Sequence, residues 1–205
     1  GTLFWDTDIH NKAWDIFLAK NNIALSDKEK NEKIHGKNNK DILNAVFPKP
    51  LSEDDIIKFG NEKESIYQEL CLKTNMQLAP GVKDFLMFLK SIDIAFTIAT
   101  ASEENNVNFY FAHLELSAFF EREKVIFNNG NMKSKPNPQL FQEAMDTMGL
   151  KGEKTLVFED SISGIMAAEN ANAAKIIIVN SNNDNYSQWN YQQIRNFAEV
   201  DKALF

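Results

Sequence analysis

The chain has 205 residues with 22 Lys and Arg against 29 Asp and Glu, a formal net charge of −7. That length suits one large domain or two small ones, and 43% hydrophobic with 11% aromatic residues marks a globular chain, not a disordered one. The acidic balance argues against nucleic acid as a partner, which calls for a basic face, yet leaves room for a local basic pocket around a small anion. Cys71 is the sole cysteine, so no disulfide forms within the chain and no thiolate cluster holds a metal. A reducing, cytoplasmic setting is expected. The longest apolar runs, 94–101 and 176–179, fall far short of the ~20 residues of a membrane span, and the first residues are not expected to act as a signal peptide.

In chain order, Gly1-Thr2-Leu3-Phe4 reads as the exit of a strand. From Asp8 to Asn75 the periodicity is helical: Ile9, Ala13, Trp14, Ile16 and Phe17 recur at helix spacing. Ser26 and Ser52, each followed three residues later by an acid, are N-terminal caps. Ile42, Leu43, Val46 and Phe47 line one face until Pro48 stops that helix. A long helix follows from Ile56 to Leu72, weakened at Gly60.

After Ala79-Pro80-Gly81 the pattern changes. Val82, Phe85, Leu86 and Leu89 make a helix; 94–100 is a short apolar strand; 103–114 is helical. Strand-like 124–127, helical 138–148, the strand 155–158, helical 161–170 and the strand 174–179 complete the alternation, and the Asn/Gln-rich stretch 180–193 reads as a surface connection. Apolar strands alternating with helices predict an α/β fold with a parallel, Rossmann-like sheet covered on both faces. The expected division is an α/β core from 1–7 and 78–205, with an inserted α-helical domain at 8–77.

In an open α/β sheet ligands bind beyond the carboxyl ends of the strands. Three such ends carry polar residues: Thr100-Ala101-Ser102, Glu159-Asp160-Ser161, and the loop 128–135 ending in Lys135. Taken singly, each has a plain structural explanation as a cap, a solvated acid pair or a surface lysine. Together, adjacent carboxylates offer the hard oxygen ligands that Mg²⁺ takes, a hydroxyl and helix-start N–H groups suit a phosphoryl group, and a lysine supplies positive charge. That set reads as a phosphoryl-transfer site. No P-loop, no strand-following G-x-G-x-x-G and no H-E-x-x-H occurs, and His10, His35 and His113 are too scattered for a zinc site.

These residues resemble the haloacid dehalogenase (HAD) superfamily, in its β-phosphoglucomutase-like branch with a helical cap. Gly1-Thr2-Leu3 is similar to the tail of a D-x-D-G-T motif, Ile98-Ala-Thr100-Ala-Ser102 to the second motif, and Ser134-Lys135-Pro136-Asn137-Pro138 to the third. The run from Val157 to Ala168 closely resembles V-F-E-D-S-x-x-G-I-x-A-A. The resemblance implies that one aspartate attacks phosphorus and a second, two residues on, serves as acid and base; both are expected directly before Gly1. It further implies that Thr100 binds the transferring group, Lys135 neutralises it, and Glu159 and Asp160 hold Mg²⁺ directly or through water.

For the cap, the resemblance places His10 and Trp14 where β-phosphoglucomutases carry His and Trp; Trp14 reads equally well as cap core. The stretch 35–39 falls where a mutase arginine grips the non-transferring phosphate, and here Asn39 stands in its place. Lys37, Lys40 and Lys63 are the candidate replacements, and Ser102 joins the substrate-binding set. Glu103 and Glu104 follow Ser102, where the mutases have Lys and Asn, and would repel a second phosphate. The expected activity is therefore a Mg²⁺-dependent phosphatase, acting as a monomer on a small phosphorylated metabolite such as a sugar phosphate. The alternatives are a β-phosphoglucomutase and, from another class, a non-catalytic binding protein with this fold.

Overall fold

Serine caps start two of the helices before residue 78. In the computed structural model, which describes residues 1–34 and 37–205, Ser26 forms a capping box with Glu29 at the head of α2 (Asp27–Lys33). Ser52 accepts from the Asp55 N–H at the head of α4 (Glu53–Leu72). With α1 (Thr7–Lys20) and α3 (Asn39–Val46) they make a four-helix group. Trp14, Phe17, Leu18, Ile42, Leu43 and Val46 fill its core. Burying each such large side chain contributes about 1.5–3 kcal/mol, whereas a helix as short as α2 does not persist on propensity alone.

The rest of the chain builds two parallel sheets. β1 (Ala99–Glu103) pairs with β2 (Ile126–Asn128), and β3 (Leu156–Glu159), β4 (Lys175–Val179) and β5 (Gln192–Ile194) run side by side in that order. α5 (Val82–Ser91), α6 (Glu104–His113), α7 (Gln139–Thr147) and α8 (Ile162–Asn170) cover them. Ile176, Ile177, Ile178 and Val179 of β4 are almost wholly buried, which accounts for their unbroken apolar run. Glu159 closes β3 opposite Ile178.

Two expectations change. The sequence predicts a strand at 94–100, but the ladder forms at Ala99–Glu103, and the parallel strands lie in two sheets. A cavity of about 800 Å³ lies between the halves, bounded by 94–102 on one side and 154–161 on the other. Residues 94–98 line it instead of pairing, apart from a bond from the Ile126 N–H to the Ile98 carbonyl at 2.9 Å. Thr100 and Ser102 therefore sit within a strand and not after it. The Asn/Gln-rich stretch also holds β5, whose Ile194 is buried while Gln192 and Gln193 face outward.

Candidate active site

Residues of all three polar stretches, Thr100, Ser102, Lys135, Glu159 and Asp160, line that cavity, together with His10 from the helical group. Lys135 reaches it from the loop before α7, with its ammonium 2.9 Å from Glu159 Oε2 and 5.1 Å from the Phe141 ring centroid. Glu159 Oε1 accepts from the Ser161 N–H at 3.1 Å and its hydroxyl at 2.7 Å. Burial opposes the Glu159 charge, but Lys135 and Ser161 prevail and hold its carboxyl below the usual carboxylate range. A Cβ at Gly164 would stand 2.1 Å from the Glu159 carboxylate, so only glycine lets α8 approach this closely.

Asp160 turns the other way. Its Oδ1 accepts from the Thr2 hydroxyl at 2.6 Å, Gly1 packs directly on its carboxylate, and its carbonyl accepts from Tyr186. Thr100 Oγ1 accepts from the Ser102 N–H at 3.1 Å, which leaves the hydroxyl proton free to donate into the cavity. The oxygens of Glu159 and Asp160, with no nitrogen or sulfur donor among them, suit a hard cation. Glu159 already spends both oxygens on Lys135 and Ser161, so Asp160 is the better placed for direct ligation. Among the described residues no group of three or more His, Cys, Asp or Glu is arranged around an ion. The pair fits Mg²⁺, which binds through one or two carboxylates and takes the rest of its shell from water and phosphate.

The helical side presents a buried polar network. Lys63, 2% exposed, donates to Glu64 Oε1 and to His10 Nδ1, each at 3.0 Å. An ammonium has only donors, so Nδ1 accepts and the His10 proton sits on Nε2, facing Asp6 Oδ2 at 3.3 Å. Burial and the neighbouring Lys63 lower the His10 pKa, keeping the ring neutral, and it stacks on Tyr67 at 3.9 Å. The Tyr67 hydroxyl donates to Asp6. Glu64 also accepts from Asn39 at 2.8 Å and from Asn106 at 2.6 Å, and Asn39 reaches across to Glu103 at 3.2 Å.

Other residues singled out in the sequence sit differently. Trp14 lies in the four-helix core with the Lys63 ammonium 5.0 Å from its ring centroid, and does not line the cavity. Lys37 borders the cavity, but its ammonium donates to the Glu32 carbonyl at 2.7 Å, capping the end of α2. Lys40 pairs with Glu53 on the surface. His35 and Gly36 lie outside the described residues. Sequence reasoning missed Asp6, Glu64, Tyr67, Asn106 and Tyr186. The i,i+4 pairs Asp6–His10 and Lys63–Tyr67, polar groups stacked on one helix face, were the available signal.

Residues 1–178 match the family of haloacid dehalogenase-like hydrolases. The chain belongs to that family. A protein of Thermotoga maritima named phosphorylated carbohydrates phosphatase is 33% identical over 144 residues, which is 70% of this chain and 63% of that relative's length. The chain thus spans less than two thirds of that relative. A solved HAD hydrolase of family IA from Entamoeba histolytica is 31% identical, with a TM-score of 0.87 over 99% of this chain and 92% of its own. A β-phosphoglucomutase from Clostridium difficile shares the fold at 21% identity, with a TM-score of 0.78 over 100% of this chain and 91% of its own.

Proposed function

We propose that the chain is the capped core of a Mg²⁺-dependent phosphatase that hydrolyses a small phosphorylated metabolite, a sugar phosphate, acting as a monomer in the cytoplasm. The observation that carries this reading is that Thr100, Lys135 and the Glu159–Asp160 pair line one cavity, with Lys135 2.9 Å from Glu159. The 33% identity to a phosphatase of phosphorylated carbohydrates supports the substrate class. The sole cysteine, Cys71, is a buried free thiol, which is in keeping with a reducing compartment. No helix of the described residues is long and apolar enough to cross a membrane.

In this reading Thr100 donates its hydroxyl proton to a phosphoryl oxygen, and Lys135, oriented by Glu159, offsets the charge of the transferring group. Asp160, with Glu159 behind it, holds Mg²⁺, which when bound supplies further charge neutralisation of the phosphate. The resemblance of Gly1-Thr2-Leu3 to the tail of the D-x-D-G-T motif implies a nucleophilic aspartate in that motif. The aspartate oxygen attacks phosphorus as the ester P–O bond breaks, and a second aspartate two residues on protonates the departing alcohol. Water then attacks phosphorus, giving its proton to that second aspartate and releasing phosphate. The helices from 8 to 77 act as a cap that closes over the substrate. Asn38 and Asp41 at the start of α3 already bond Ser134, next to Lys135, which supports coupling between cap and lysine loop.

The test is phosphate release by the full gene product over a panel of sugar phosphates and nucleotides, with and without Mg²⁺. Metal-dependent release from sugar phosphates is expected. No release from any ester, or a coding sequence with no acid in the strand before Gly1, refutes the catalytic reading. With β-glucose 1-phosphate and a trace of the bisphosphate, glucose 6-phosphate forming faster than free phosphate would instead establish a mutase.

A further inference from the structure

The polar stretch 180–193 carries three aromatics, Tyr186, Trp189 and Tyr191, in a run otherwise of Asn, Gln, Ser and Asp. Tyr186 is 3% exposed and packs with Ile165 of α8 and Ile178 of β4, beside the Trp189 ring. A phenylalanine would fill that space as well. The hydroxyl is what a phenylalanine lacks, and a buried hydroxyl needs a partner. Here the partner is the main-chain carbonyl of Asp160, 26 residues away in sequence.

Asp160 is a one-residue joint between strand and helix. The β3 ladder ends at Glu159, opposite Ile178. Ser161 already caps α8, its hydroxyl accepting from the Gly164 N–H at 3.1 Å. The Asp160 carbonyl therefore lies past the last strand pair, where no ladder holds it. A residue has two soft backbone dihedrals; the end of β3 constrains one at Asp160, and the Tyr186 bond constrains the other. The Cα–Cβ bond is left with one direction, and Thr2 then holds the carboxylate itself through Oδ1 at 2.6 Å. Burial and the nearby Asp184 carboxylate push the Tyr186 pKa up, so its hydroxyl stays a donor.

We propose that Tyr186 is a positioning residue for the metal: its hydroxyl fixes the Asp160 main chain so that the carboxylate meets a divalent cation in one orientation. This rests on Asp160 as the Mg²⁺ ligand of the proposed phosphatase. Groups that orient a ligand without touching the ion contribute roughly 10–100-fold to metal affinity. A bond to the ligand's main chain, and not to its carboxylate, belongs at the lower end of that range.

The experiment measures binding of Mn²⁺, a paramagnetic substitute for Mg²⁺, to the full gene product without substrate, through loss of the free-ion electron paramagnetic resonance signal. Tyr186→Phe keeps the ring and removes the hydroxyl, and its Mn²⁺ affinity should fall about tenfold. Trp189→Phe loosens the same aromatic cluster but keeps the hydroxyl, and should bind Mn²⁺ as the wild type does. Urea unfolding of both variants separates lost stability from lost metal binding. Unchanged affinity in Tyr186→Phe, or an equal loss in Trp189→Phe, overturns the inference and leaves the phosphatase reading intact. Asp160→Asn should abolish the same binding. Mn²⁺ retained by Asp160→Asn, or not bound by the wild type, overturns the metal assignment and the inference with it.

Discussion

Replacing Lys135 with methionine probes the pair on which the site is built. The two side chains are 11% and 6% exposed and 2.9 Å apart. Their gross attraction is about 6 kcal/mol at an effective dielectric near 20, much of it offset by the cost of desolvating both charges. Removing one partner of a buried pair costs about 3–5 kcal/mol, because the other charge is left stranded. Glu159 keeps its two Ser161 donors, so the lower end, about 3 kcal/mol, is expected for Lys135→Met. The double variant Lys135→Met/Glu159→Gln should fall short of the sum of the single losses by about 2 kcal/mol.

Urea unfolding at pH 7, followed by the fluorescence of Trp5, Trp14 and Trp189, measures both quantities. Acid titration adds an independent readout. The folded pKa of Glu159 lies below the usual 4.5, so its stabilisation is complete above that value and is lost as pH falls through the lower folded one. Without Lys135 the depression shrinks, and the acid loss should begin at higher pH. A Lys135→Met protein within about 1 kcal/mol of wild type, with an unchanged acid profile, would show that the two residues are not paired in solution.

Gly164→Ala places a methyl group 2.1 Å from the Glu159 carboxylate; a loss of about 2–3 kcal/mol in urea unfolding is expected, since overpacking displaces a buried charge. Asp160→Asn should lower kcat by about 10–100-fold and shift the Mg²⁺ dependence to higher concentration; unchanged kinetics at limiting metal would move the ion elsewhere. Tyr67→Phe removes a donor from buried Asp6 and should cost about 1–3 kcal/mol of stability by the same unfolding assay.

Much of the fold is written locally. The unbroken apolar run of β4, the Ser26 and Ser52 caps, and Pro48 after α3 each act over a few residues, so their spacing in the chain suffices to place them. β1 shifts toward Glu103 because pairing with β2 decides where a ladder begins, and that partner lies more than twenty residues away. β5 escapes because only Ile194 among its three residues is buried. The site divides in the same manner. Thr100, Lys135, Glu159 and Asp160 follow apolar strands and stand out by position, whereas Glu64 and Asn106 look like surface residues of polar helices. They become a buried network only when α4 meets α6, 42 residues apart in sequence. Lys63 was visible as a candidate cation, but Glu64 beside it neutralises the charge that would have gripped a phosphate.

The account stands on a phosphate seat shared by three separate segments. Crystals of the protein soaked with tungstate and Mg²⁺ test it most directly, through the anomalous signal of the heavy oxyanion. One tungstate in hydrogen-bond contact with the Thr100 hydroxyl and the Lys135 ammonium, with a metal on Asp160, is the predicted result. An oxyanion bound elsewhere, with that seat left to water, would contradict it.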